Sequence, residues 1–352
     1  MTRPQLRSAM ASLPAYVPGR KIPGAVVLAS NESPFGLLPS VAAVLAQQAA
    51  GVSRYPDMGA SRLIEAIAAH HDVTPEQVAV GAGSVEVCGQ LAGAAVDAGD
   101  EVVFGWRAFE AYPIITAVAG GTAVKVPLTV DHVHDVDAMV AAVTSRTRLV
   151  FLCNPNNPTG TAVGRAELLR LVDGVPEHVL VVIDEAYREY VDPVAVPDAF
   201  ELFGDRPNVV VTRTFSKAYA LAGLRVGYCL AAPEVAAAVR KCQVPFSVTA
   251  LAQEAAVAAL GETEEVIRRA KLTVAERERV RGALLGLGFD VPPSQANFVW
   301  LPLGDRAAAF AEHCLAGGVI VRPFAGEGVR VTIGTDTEND QFLALARAFV
   351  PG

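Results

Sequence analysis

Three short apolar runs that stop abruptly at polar residues constrain this chain more than any other feature: "RLVFLCNPNNPTG", "HVLVVIDEAY" and "NVVVTRTFSK". A strand exposed on one side alternates apolar and polar residues, whereas a strand buried on both faces reads as a continuous run of Val, Ile and Leu. These three are of the second kind. Helical periodicity lies before and between the strand runs: from Pro39 through "SVAAVLAQQAA", in "ASRLIEAIAAHH", and over 84–97, 109–118 and 135–144. The shorter strands "QVAVGAGS", "EVVFG" and "AVKVPL" are interleaved with it. Strand and helix in turn specify an α/β fold with a mainly parallel, doubly wound sheet.

Near residue 246 the alternation gives way to long helices, including the charged "EEVIRRAKLTVAERERVRGALLGLG". "ANFVWLPL", the helix "RAAAFAEHCLAGG" and the strands "VIVRPF" and "GVRVTIG" follow. The expected organisation is an N-terminal arm (1–30) packing near the small domain, a large domain (31–245) and a smaller α+β C-terminal domain (246–352).

With 352 residues, 52% of them hydrophobic and 19% charged, the chain can bury a sizeable core. A formal net charge of −8 leaves no basic stripe to neutralise phosphates, so no nucleic-acid partner is expected. Cys88, Cys153, Cys229, Cys242 and Cys314 stand far apart with no CxxC pair, which points to a reducing cytoplasm. Prolines interrupt the N-terminal segment before a signal core can form, and no stretch reaches the roughly 18 apolar residues of a membrane span. His132 and His134, and the adjacent His70 and His71, have no acidic or thiol cluster at ligand spacing; they read as solvated side chains, and no metal is expected.

In an open α/β sheet, ligands bind outside the carboxyl ends of the strands. The three runs deliver Asn154, Asn156 and Asn157, then Asp184, Glu185 and Tyr187, then Thr214, Ser216 and Lys217 to that edge. An earlier strand ends in "GAGSVEV", where bare backbone N–H groups at a helix start suit a phosphate. A dinucleotide fits poorly because Glu86 stands where G-x-G-x-x-G needs its last glycine, and a triphosphate because no G-x-x-x-x-G-K-[ST] loop occurs. One phosphate site, one amine, one carboxylate, one phenol and one amide match pyridoxal 5'-phosphate. Its aldehyde condenses with lysine, its pyridine nitrogen wants an acid, and its ring oxygen wants donors.

The string "SKAYALAGLRVGY", with "NPNNPTG" and "DEAYREY" upstream, resembles the fold type I pyridoxal-phosphate aminotransferases, specifically the histidinol-phosphate and aromatic aminotransferase family. The likeness runs from "SNESPFG" through "RYPD", "GAGSVE" and "SQANFVW" to "VRVTIGT". "LPAYVPG", "VVFGWRAFEAYP" and "PPSQANFVWLPLG" look most like its actinobacterial aromatic amino acid aminotransferase branch.

This resemblance makes Lys217 the residue that forms the internal Schiff base and shuttles the proton, and Asp184 the partner of the pyridine nitrogen. Asn157 and Tyr187 would donate to the ring oxygen, while Gly83, Ser84, Ser216 and Arg225 hold the phosphate. Phe109 matches the stacking position, but "WRAF" departs from the usual "PTF", so either Trp106 or Phe109 could lie over the ring. Tyr55 would reach the phosphate of a neighbouring subunit, which implies a homodimer. Arg330, set opposite Val329 and Val331 by strand alternation, would grip the substrate carboxylate. Arg322 would assist it or contact the substrate side chain, and Asn31 and Tyr16 would line the substrate side.

The implied activity is transamination of aromatic amino acids (Phe, Tyr, Trp) with 2-oxoglutarate by a ping-pong cycle. Histidinol-phosphate transamination is the alternative, and a decarboxylase on the same scaffold, like the phosphothreonine decarboxylases, is the third reading. Transcription regulators that carry this domain need a DNA-binding module ahead of it, for which about 30 mostly irregular residues leave no room.

Overall fold

The apolar runs become the centre of a seven-stranded sheet in a computed structural model that describes Arg7 and residues 22–349. Tyr16 lies outside the described residues. In chain order the strands are β1 (Val26–Leu28), β2 (Val78–Gly81), β3 (Glu101–Trp106), β4 (Thr122–Pro127), β5 (Thr147–Cys153), β6 (Leu180–Asp184), β7 (Val209–Thr214), β8 (Gly227–Leu230), β9 (Phe298–Leu301), β10 (Val319–Phe324) and β11 (Gly328–Thr332). The large sheet has the order β2-β8-β7-β6-β5-β3-β4 and is parallel except for β8, which runs against both β7 and β2.

Successive residues of each central strand serve opposite faces. Phe151, Val182 and Val210 pack beneath the helices Ser84–Ala95, Ala111–Ala119 and Pro233–Lys241. Their neighbours Val150, Val181 and Val211 pack on the other side with the helices Val136–Ala141, Arg165–Gly174 and Ala199–Phe203. Both faces are therefore covered, and this is why the strands read as unbroken apolar runs. The sequence pattern marked neither β8 nor the helix after it: "GYCL" is four residues long, starts on glycine and carries no alternation.

A second sheet of four strands, in the order β1-β10-β11-β9, holds a separate core. On one face Val299, Leu301, Val319, Val329 and Val331 pack against Phe310 and Phe342, while the other face mixes Phe298, Trp300 and Phe324 with Arg322 and Arg330. β1 comes from the beginning of the chain and pairs in parallel with β10, Val26 opposite Val319. The helix Thr263–Gly286 serves both halves, with Val266 and Ala270 in the core beside the large sheet and Val280 and Leu284 in that of the small one. Among the described residues no helix is long and apolar enough to cross a membrane.

Candidate active site

The pairing of β5, β6 and β7 sets Cys153 level with Asp184 and Asp184 level with Thr212, so their polar extensions open at one edge. There they line a cavity of about 250 Å³ with Asn31, Ser84, Phe109, Asn157, Asp184, Tyr187, Ser216, Lys217, Arg225, Arg322 and Arg330 on its wall. The cavity lies between the two sheets.

One end of it is a cup for an anion. The helix Ser84–Ala95 starts at Gly83, whose φ of 84° is left-handed, and no side chain caps it. The left-handed φ makes any side chain at 83 strained, and a Cβ there would also displace the Arg225 guanidinium. Arg225 Nη1 donates to Ser216 Oγ at 3.3 Å and to the Ala222 carbonyl at 3.1 Å, and Nη2 donates to the Ala82 carbonyl at 3.3 Å. Uncapped N–H groups, two hydroxyls and one forked cation in one place suit a phosphate.

At the other end Asp184 is 2% exposed and accepts from Tyr112 Oη at 2.8 Å and Thr212 Oγ1 at 3.0 Å. Burial raises its carboxyl, while the Tyr112 and Thr212 donors, the Ala186 N–H and the Lys217 charge pull it back down. Lys217 stands between cup and acid, its Nζ donating to the Ser30 carbonyl at 3.2 Å. Burial pushes the amine down to about 8; the cations of Arg330 and Arg225 act the same way, against Glu32 and Asp184. A lysine in that range supplies neutral amine near physiological pH, which nucleophilic attack requires.

Tyr187 Oη accepts from Asn31 Nδ2 at 2.8 Å. Burial raises its phenol, so it stays protonated and can donate. Asn157 Oδ1 accepts from Arg330 Nη1 at 2.5 Å, which leaves the amide nitrogen to serve a ligand oxygen. Arg330 also donates to the Ala29 carbonyl at 2.5 Å. Arg322 and Arg330 face each other directly across the β10–β11 pairing. Like charges so placed repel, and Glu110 offsets the pair by accepting from Arg322 at 2.9 Å.

Phe109, not Trp106, lines the cavity. Trp106 is turned away and lies between two cations, Lys125 Nζ 4.2 Å and the Arg107 guanidinium 4.5 Å from its ring centroid. Tyr55 does not line the cavity; it is 82% exposed and stacked on Phe246 at 4.6 Å. The histidine reading needs correction at two positions. His134 is 4% exposed, with Nε2 3.0 Å from the Cys153 carbonyl, and burial holds it down at about 4. His71 is partly buried against Tyr228 Oη at 2.8 Å.

The sequence reading missed Tyr112 and Thr212, which hold Asp184, and Glu32, which faces Lys217. It also missed Glu110 and the Arg107–Glu327 pair, in which Nε donates to the two carboxylate oxygens at 3.1 and 2.9 Å. Glu110 was legible as a charge within "WRAFEAYP", but its partner lies 212 residues away.

The profile of the family "Aminotransferase class I and II" matches residues 23–345. An aromatic amino acid aminotransferase of Thermobifida fusca (strain YX) is 56% identical over 350 residues, spanning 98% of this chain and 97% of the relative. One of the same name from Streptomyces coelicolor is 53% identical, spanning 99% and 98%. Among solved structures, histidinol-phosphate aminotransferase from Sinorhizobium meliloti in complex with pyridoxal-5'-phosphate superposes with a TM-score of 0.89 at 32% identity, covering 98% of both chains. The chain belongs to the class I and II aminotransferases.

Proposed function

We propose that the protein is a pyridoxal-phosphate-dependent aminotransferase that moves the amino group of aromatic amino acids (Phe, Tyr, Trp) to a 2-oxo acid such as 2-oxoglutarate. The carrying observation is the convergence of Lys217, Asp184, Tyr187, Asn157, Ser216 and Arg225 on one cavity. The uncapped helix start at Gly83 and the Arg225 fork fit the cofactor phosphate, Asp184 its ring nitrogen, Asn157 and Tyr187 its ring oxygen, and Phe109 its face. When bound, the cofactor supplies an aldehyde for the amine and an electron sink for the substrate carbon. Lys217 provides the neutral amine that takes and returns a proton, Asp184 holds a proton at the ring nitrogen, and Arg330 anchors the carboxylate shared by donor and acceptor.

The donor class follows the relatives at 53–56% identity, named for aromatic amino acids, over the 32% identical histidinol-phosphate enzyme. The reading includes a homodimer, with Tyr55 of each chain reaching the neighbouring site. Its exposed ring on Phe246 supports an intersubunit role. The division into arm, large domain and small domain is proposed on the two sheets and their separate cores. A reducing cytoplasm agrees with five free cysteines.

Donor profiling tests the assignment. Purified protein with cofactor and 2-oxoglutarate is given phenylalanine, tyrosine, histidinol phosphate or phosphothreonine, and glutamate and carbon dioxide are quantified. Glutamate from the aromatic donors is expected. Glutamate from histidinol phosphate alone rejects the aromatic assignment, and evolved carbon dioxide rejects transamination.

A further inference from the structure

We propose that Tyr112 is a positioning residue that fixes, from behind, two of the groups that hold the pyridine ring: its hydroxyl orients Asp184 and its ring supports Phe109. The inference rests on the cofactor reading above. Tyr112 lies on the helix Ala111–Ala119, fully buried, its ring stacked on Phe151 with centroids 4.5 Å apart and planes 5° apart. That flat stack sets the direction of the phenol oxygen, which donates to Asp184 Oδ2 at 2.8 Å. Thr212 donates to Oδ1 at 3.0 Å, so each carboxylate oxygen has its own donor and the carboxylate is fixed in orientation. On another side Tyr112 meets Phe109 edge to face, centroids 5.6 Å apart at 86°. One side chain thus ties the wall that faces the ring to the acid that meets its nitrogen.

The hydroxyl also sets how strongly Asp184 holds a proton. A donor to a carboxylate favours its ionised form, so Tyr112 keeps Asp184 less basic than its burial alone would make it. A more basic Asp184 would draw the proton away from the ring nitrogen and weaken the electron sink. The groups that face Asp184 are Tyr112, Cys88, Cys153, Tyr187 and Lys217. Burial raises the two thiols and two phenols, which leaves Lys217 as the neighbour that changes charge near neutrality.

The test therefore uses the full-length Lys217→Ala protein as parent, removing both that titration and the covalent link. Its affinity for pyridoxal phosphate is measured by equilibrium dialysis from about pH 4 to pH 8; the ligand phosphate, with its second pKa at about 6, titrates alike in every variant, so the shift of the acid midpoint between variants reports Asp184. Tyr112→Phe is expected to raise that midpoint by about one pH unit, the tenfold change that one charge-assisted hydrogen bond commands. Site-specific 3-fluorotyrosine at position 112 keeps the ring and strengthens the donor, so it should move the midpoint the other way. It carries the test even if the phenylalanine variant folds poorly. Tyr112→Leu, which also removes the support of Phe109, should weaken binding further at every pH. Midpoints unchanged in both the phenylalanine and fluorotyrosine proteins overturn the proposal, even if melting temperatures fall, because a packing role alone does not shift a titration in two directions. Failure of the parent to bind cofactor at any pH would instead sink the cofactor reading.

Discussion

Covalent capture of the cofactor by Lys217 should titrate far below the range of an ordinary lysine. With the amine pushed down to about 8, about one molecule in ten is neutral at pH 7, against about one in three thousand for a lysine at 10.5. Because the neutral amine is the nucleophile, the structure confers an advantage of about three hundredfold at that pH. Apoprotein mixed rapidly with pyridoxal phosphate, followed by visible absorbance, should show a rate that rises about tenfold per pH unit up to about pH 8 and then levels. Butylamine, a solvated amine, serves as the reference and should keep rising. Arg330→Met removes the largest charge contribution that holds the amine down and should move the break upward, whereas Glu32→Gln should move it downward. A rate that climbs without a break to about pH 10 would mean that Lys217 behaves as a solvated lysine, and the electrostatic account of the site would be wrong.

Three further outcomes are expected. Tyr55→Ala and Lys217→Ala proteins, each impaired alone, should regain activity when mixed as subunits, since one intact site forms in each mixed dimer; verified mixed dimers that stay inactive would remove Tyr55 from the site. Arg213→Met strands Glu185, which is 2% exposed and paired to Arg213 at 2.7 Å, and should cost about 3–5 kcal/mol in urea unfolding, with a loss under about 1 kcal/mol contradicting the burial argument. His71 is held by burial, with Arg213 and His70 adding, at about 3, so the unfolded chain binds a proton below about 6.5 that the native fold refuses. Its contribution is intact above about pH 6.5 and lost as pH falls toward about 3, so His71→Gln should flatten the fall of melting temperature across that window.

Much of the site was legible because a parallel sheet sends its loops to one edge. Once "LVFLC", "LVVID" and "NVVVT" are strands, Asn157, Asp184 and Lys217 must open at neighbouring ends, and the structure places all three on one cavity. What stayed hidden depends on contacts between distant segments. Tyr112 reads as a core aromatic in "EAYPIITAVAG", and nothing local shows that its hydroxyl meets an acid 72 residues on. Trp106 and Phe109 could not be ranked because nothing local shows that Phe109 lines the cavity while Trp106 packs with the cations of Lys125 and Arg107. β8 was missed because a strand of four residues, buried and paired on both sides, has too little pattern to announce itself.

The pairing of β1 with β10 has a consequence for biosynthesis. Ala29, Ser30 and Asn31, which touch Arg330, Lys217 and Tyr187, are held in place by that strand pair and by Asn31 bonding Thr332 across 301 residues. A growing chain can complete the large sheet, β2 to β8, while β1 still waits for β10. The binding pocket closes only after β10 and β11 have been made, and Asn31 waits for a partner 301 residues further on. Cofactor that arrives before β10 and β11 are made then meets a complete phosphate cup without the side of the cavity formed by residues 29–31 and Arg330, and full affinity should arise only when that side is fastened.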